Sequence, residues 1–329
     1  MTGAFRTADR SGRVPSADST DQRRFGLACP PGPPTVTESP VPRIRRRLVA
    51  AAGLLPLGGC SWGGALAAAT PGAAREHAGL AYGDDPRQRL DVYQPDGDAP
   101  PAGRPVAVFF YGGSWNRGSR TSYRFVGRAL ASRGIVTVVP DYRVYPQVRY
   151  PDFLRDSAAA VAWVRRGIRA HGGDPAGIVV AGHSAGAYNA AMLALDPRWL
   201  GEVGLAPRDL AGFAGLAGPY DFLPIENRGV RPVFHHPDYP PHSQPIGFAA
   251  RLPMPVFLGA AATDSLVDPQ RNTVQLARRL REAGTLVTER LYEGANHVTL
   301  LAALAGPLRW IAPVLDDLAG FVARPPVRG

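Results

Sequence analysis

Four apolar residues at 178–181 run straight into Gly182-His183-Ser184-Ala185-Gly186, and an alanine-rich apolar stretch follows as far as residue 195. A short continuous apolar run bounded by glycine reads as a strand buried on both faces, and the alanine-rich stretch reads as a helix. The residues between them leave no length for a loop, so the strand must turn directly into the helix. Glycines on both sides of Ser184 allow that, because each lets a neighbouring backbone pass close by. A strand, sharp turn and helix of this kind needs a sheet to belong to.

The rest of the chain supplies one. Residues 79–95 hold two short apolar runs around a polar turn at Asp84-Asp85-Pro86, the pattern of an antiparallel hairpin. Further buried strands are predicted in "PVAVFFYGG", "GIVTVVPDYR" and "PVFLGAA", and strands also in "AGFAGLAG" and "TLVTERLY". Between them, Phe153, Leu154, Ala158, Val161, Val164 and Ile168 recur at helical spacing. Helices are also expected over 274–283 and 308–322, the last kinked at Pro313. Strands alternating with helices predict an α/β fold with a mostly parallel, doubly wound sheet and helices on both faces. Residues 223–250 carry six prolines and little periodicity, which suggests a lid or pocket-wall insertion.

Composition narrows the chemistry. The formal charge is +10, and every one of the 37 basic residues is arginine. Residues 1–60 hold nine arginines against Asp9, Asp18, Asp21 and Glu38, so about half the excess lies there. The remainder is spread without a basic block, which argues against a nucleic-acid partner. The two cysteines, Cys29 and Cys60, also lie in this front part. The body therefore has no thiol for a disulfide, a metal–thiolate site or a nucleophile.

The front part reads as an address. Residues 1–42 are polar and proline-rich, and are expected to be disordered or an over-extended start, with Val36 or Val41 as alternative beginnings. Residues 43–60 combine Arg43, Arg45, Arg46 and Arg47 with an apolar run too short to span a bilayer, as in an export signal. Its end, Leu57-Gly58-Gly59-Cys60, resembles a lipobox, which would make Cys60 the first mature residue and its lipid the membrane contact. Cleavage after Ala65-Leu66-Ala67, a twin-arginine signal and a cytoplasmic location are the competing readings. Residues 61–78 are expected to be a small-residue linker, and 79–325 the folded body.

Ser184 needs a base, and the base needs an orienting partner. Asp264 lies just past one predicted strand and His297 just past the next, at the edge where open α/β sheets place their sites. Backbone donors for a developing oxyanion are available at Ala185 and in "FFYGGSW", where Gly112 and Gly113 permit a tight turn toward the serine.

From about residue 82 onward the chain resembles the α/β-hydrolase esterase/lipase group, which includes small carboxylesterases, feruloyl-type esterases and kynurenine-formamidase-like enzymes. "YGDDPRQRLDVYQP", "YGGSWNRG", "PDYRVYP", "GGDPAGIVVAGHSAGA", "GPYDF", "ATDSLVDP" and "EGANH" carry it, in that order. The resemblance implies Ser184 as nucleophile, Asp264 as orienting acid, His297 as base, and amides of Gly113, Ser114 and Ala185 as the oxyanion hole. It implies no metal or organic cofactor and a small-molecule ester as substrate. This chain departs from the group at Tyr111, where histidine is usual.

Competing readings stay open at this level. Asp268 is a second candidate acid, and Asp221 fits a pocket or structural role. His183 reads as a packed residue of the turn. His235, His236 and His242 lie in the proline-rich segment without the spacing of metal ligands. Trp115, Tyr220 and Phe222 fit either the cleft lining or the core. Formamide hydrolysis on the same machinery and a non-catalytic binding relic are the alternatives to ester hydrolysis.

Overall fold

The computed structural model describes residues 59–70 and 74–324. The extension 1–42 and the export-signal residues up to 58 lie outside the described residues. In chain order the elements are α1 (Gly59–Ala69), β1 (Ala74–Ala81), β2 (Arg89–Pro95), β3 (Arg104–Phe110), α2 (Arg124–Ala131), β4 (Val136–Pro140), α3 (Asp152–Gly167) and β5 (Gly173–His183). They continue with α4 (Ala185–Leu195), α5 (Pro197–Gly201), β6 (Gly212–Leu216), β7 (Val256–Ala261), α6 (Gln275–Glu282), β8 (Val287–Tyr292), α7 (His297–Ala302) and α8 (Val314–Val322).

The strands form one sheet in the order β1-β2-β4-β3-β5-β6-β7-β8. β2 runs antiparallel to both β1 and β4, and every other pairing is parallel. The opening hairpin and the doubly wound parallel sheet expected from the sequence are therefore present. Strand alternation sorts the core into two layers. Val106, Val108, Phe110, Ile178 and Val180 face α3 and α4, whereas Ala107, Phe109, Val179 and Ala181 face α2 and α8. Because β3, β5, β7 and β8 run parallel, the loops leaving their carboxyl ends gather at one edge. Those loops carry Gly112 to Trp115, Ser184, Asp264 and His297.

Two segments differ from their sequence expectation. The stretch read as a linker from 61 contains most of α1, and β1 already begins at Ala74. Leu66 and Ala67 are buried in the core, and the Arg128 guanidinium donates to the Ala67 carbonyl at 2.9 Å. A Cβ at Gly63 would sit 2.3 Å from the Ser122 carbonyl oxygen, so small residues here serve close backbone approach. The final helix is broken, not kinked: a 3-10 turn at Gly306–Leu308 is separated from α8, whose N-cap is Pro313. Proline has no N–H to continue a helix through that position, but it fits a helix start. Residues 223–250 form a packed wall, with short turns at Arg231–Phe234 and Pro245–Phe248 and with Ile225, Val233, Phe234 and Ile246 buried.

Candidate active site

Sterics fix the position of Ser184. It caps α4 immediately after β5, at φ 55° and ψ −123°, a backbone region costly for a residue with a side chain. The turn closes only because of its glycines. A Cβ at Gly182 would lie 2.3 Å from the Gly186 carbonyl oxygen, and one at Gly186 would lie 2.0 Å from the Phe110 carbonyl oxygen. Every residue of α4 is buried, so the helix cannot shift to relieve the turn.

Hydrogen bonds fix the partners. His297 Nε2 lies 3.0 Å from Ser184 Oγ, and His297 Nδ1 lies 2.7 Å from Asp264 Oδ2. The other carboxylate oxygen, Asp264 Oδ1, accepts the N–H groups of Leu266 at 2.9 Å and Val267 at 3.0 Å. Burial alone would raise the Asp264 carboxyl. The His297 hydrogen bond and charge, with the two backbone donors, outweigh it and hold the group below its ordinary value. Asp264 thus stays ionised and faces the imidazole N–H.

Asp268, the rival acid, is spent elsewhere: its Oδ1 accepts the N–H groups of Gln270 at 2.8 Å and Arg271 at 3.2 Å. Asp221 lies on the rim, 3.3 Å from the Arg271 guanidinium. The sequence reading missed Asn296. Its side chain caps α7, accepting from Val298 N at 3.0 Å and Thr299 N at 2.9 Å, while Thr299 Oγ1 accepts the Asn296 N–H at 2.8 Å. That reciprocal cap fixes the turn in which His297 is the first helical residue, and its signal was the Asn-x-x-Thr spacing.

The loop after β3 lies against the serine. The Cα of Gly112 is packed so closely that an added Cβ would be 3.0 Å from Ser184 Cβ. Its N–H, however, donates to the Tyr123 hydroxyl at 3.2 Å, so the sequence candidate Gly112 is already engaged. Among the described residues, the N–H groups of Gly113 and Ser114 meet no acceptor. Ala185, first residue of α4, has a free N–H because no carbonyl precedes it in the helix. Gly113, Ser114 and Trp115 all have positive φ, at 135°, 55° and 54°.

Tyr111 ties the start of this loop to the residues behind it. Its hydroxyl donates to Asp141 Oδ1 and accepts from Arg87, both at 2.9 Å, and its ring stacks on Tyr142 with centroids 4.7 Å apart. Arg120 closes the network by pairing with Asp141 and with Asp91. The side chain therefore clamps the loop from behind and takes no place beside Ser184.

A cleft of about 450 Å³ opens over Ser184 and His297, with Ser114, Trp115, Phe222, Leu266, Val267 and Arg271 in its lining. Trp115 donates its indole N–H to Asn189 Oδ1 at 2.9 Å and meets Tyr188 and Phe234 edge-on at 5.1 and 5.0 Å. Tyr220, the third aromatic candidate, is buried against Gly215 and Gly218 and does not line the cleft. The ring nitrogens of His235 and His236 bond to the Tyr150 carbonyl and the Tyr239 hydroxyl. A larger groove, about 790 Å³, lies far from the serine at the start of β6 and β7.

The family model BD-FAE matches residues 90–202. The probable isoprenylcysteine alpha-carbonyl methylesterase ICME of Oryza sativa subsp. japonica is 33% identical over 250 residues, which cover 69% of this chain and 59% of that protein. Esterase LipC of Mycobacterium tuberculosis is 34% identical over 219 residues, 61% of this chain and 54% of that protein. The chain spans less than two thirds of the length of these curated relatives. Among solved structures, a truncated carbohydrate esterase from gut microbiota superposes with a TM-score of 0.64 at 16% identity, over 77% of this chain and 96% of that one, a likeness of fold. With this sheet order and this strand-to-helix elbow, the chain has the α/β-hydrolase fold, and its sequence is similar to those of esterases.

Proposed function

We propose that the protein is a serine hydrolase of carboxylic esters. The observation that carries this is the continuous hydrogen-bonded line from Ser184 Oγ through His297 to the buried Asp264 carboxylate. Ser184 Oγ attacks the ester carbonyl while His297 Nε2 takes its proton, and the oxyanion is received by the free N–H groups of Gly113, Ser114 and Ala185. The tetrahedral intermediate collapses, His297 returns the proton to the leaving alkoxide, and an acyl-Ser184 ester remains. Water, deprotonated by His297, then attacks that ester, and the carboxylic acid and the free Ser184 hydroxyl are released. Asp264 holds the imidazole in the tautomer with its lone pair toward Ser184 and stabilises the imidazolium between steps.

The relatives bear names of esterases, one a methylesterase, which supports an ester carbonyl as the target. The formamide alternative draws no support from them. The test is hydrolysis of p-nitrophenyl esters from acetate to laurate by a chain beginning at Cys60, beside Ser184→Ala. Turnover that falls by about a million-fold in the variant is the expected result. A folded wild-type protein that cleaves none of the esters would refute the reading.

We further infer that the enzyme is exported and lipid-anchored at Cys60. The arginine-flanked apolar run ending in Leu-Gly-Gly-Cys supports this. Incorporation of labelled fatty acid into the wild type but not into Cys60→Ser is the expected outcome, and equal incorporation would overturn it.

A further inference from the structure

Beside Ser184 lies a buried histidine that the hydrolytic steps do not use. His183 ends β5, directly before Ser184, and is 5% exposed. Its Nε2 lies 2.9 Å from the backbone carbonyl oxygen of His297, and the two rings stand 4.8 Å apart. A carbonyl can only accept, so His183 Nε2 carries the proton and donates it. Its Nδ1 is then a bare lone pair, buried and without a partner among the described residues. The face of Gly112 closes that side, where a Cβ would come within 3.1 Å of Nδ1. The ring is thus wedged between the oxyanion loop, the elbow and the turn that bears His297.

An unsatisfied buried nitrogen is a cost that a leucine of similar bulk would not carry. What the histidine supplies in return is one directed hydrogen bond across 114 residues of chain, from the serine's strand to the base's own backbone. We propose that His183 is a positioning residue for His297, its Nε2–H fixing the backbone from which the imidazole reaches Ser184. The bond holds the ring at the 3.0 Å spacing seen between Nε2 and Ser184 Oγ. Burial, with the neighbouring His297, lowers the His183 ring to about 3, so it stays neutral and places no second positive charge beside His297 when that ring takes its proton. This inference rests on His297 being the base.

The experiment compares His183→Leu, which removes the donor, with His183→Gln, which keeps one, in the chain beginning at Cys60. Folding is checked by circular dichroism, and kcat and KM are measured on a p-nitrophenyl ester. The downfield proton signal of the His297 Nδ1–H···Asp264 bond is followed in parallel, because it reads the geometry without turnover. The proposal expects His183→Leu to lower kcat by about 10- to 100-fold with KM nearly unchanged and to shift or broaden the proton signal, and His183→Gln to restore most of both. A folded His183→Leu protein with wild-type kcat and an unmoved signal would overturn it. Should the leucine variant not fold, His183→Gln decides: a folded protein that has lost kcat or the signal overturns the proposal, and one that keeps both supports it. A wild type that neither turns over esters nor is labelled at Ser184 by a fluorophosphonate defeats the hydrolase reading instead, while the proton signal still tests the positioning.

Discussion

The elbow carrying Ser184 and the two turns carrying Asp264 and His297 meet at the same edge of the sheet but are held by different forces. The elbow is locked by contact: two glycines pressed against carbonyls, a left-handed serine and a helix buried on all sides. The turns are locked by polar bonds, most of them made within a few residues, and their neighbours Leu266 and Val298 are 72% and 51% exposed. A contact lock tolerates no added atom, whereas a hydrogen-bond lock tolerates bulk but not the loss of one donor or acceptor. Ser184 and its partners should therefore fail in different ways when altered.

The largest effect should come from the polar side. Asp264→Asn keeps the shape but offers the imidazole an amide in place of a carboxylate, and kcat should fall by about 10⁴-fold with little change in melting temperature. Asp268→Asn, in the same loop, should leave kcat within a few-fold; equal losses in the two variants would erase the distinction between cap and partner. On the contact side, Gly186→Ala drives a methyl into the Phe110 carbonyl and should destabilise the fold by about 3 kcal/mol, measured by urea unfolding. A normally stable Gly186→Ala protein would show that the elbow is not sterically locked.

Acid separates the two sides by pH window. His183 is held at about 3, below the ordinary 6.5, by burial and then by His297. The unfolded chain takes up that proton as pH falls through 6.5 and the folded one does not, so stability is present above that value and drains away below it, by about 1.4 kcal/mol per pH unit at most. Asp264, whose carboxyl is lowered, contributes stability that is lost only at pH below its ordinary value near 3.8. Urea midpoints measured from pH 7 to 4.5 should fall more steeply in the wild type than in His183→Gln, and parallel curves would contradict the neutral, buried ring. The smallest effect is expected of Asn296→Ala, which removes the α7 cap at a cost of about 1 kcal/mol and should lower kcat several-fold. An unchanged kcat would mean that the cap does not govern where His297 stands.

The same contrast explains what could be read from the sequence. Buried strands such as "PVAVFFYGG" and the pentapeptide around Ser184 were legible because apolar runs and paired glycines report sterics directly. Asp264 and His297 followed from their order past successive strands, although Asp268 could be set aside only once its own bonds were visible. Less legible were places where small residues mark close approach. Helix α2 holds Gly127 in its middle, because a Cβ there would lie 2.2 Å from the Tyr93 ring, and that glycine masks the helix. The linker reading of α1 failed for the same reason at Gly63. The bonds from Tyr123 to Gly112 and from Tyr111 to Asp141 and Arg87 join distant segments and leave no local pattern.

Helix α1 also bears on maturation. A leader peptidase cutting after Ala67 would sever the helix, carry away the buried Leu66 and Ala67, and strip the support from the Ser122 carbonyl beside Tyr123. A cut before Cys60 would leave all of that in place. If the front end is processed as an export signal, the fold thus discriminates between these two cuts: the one before Cys60 leaves the folded body complete, and the one after Ala67 trims into its core.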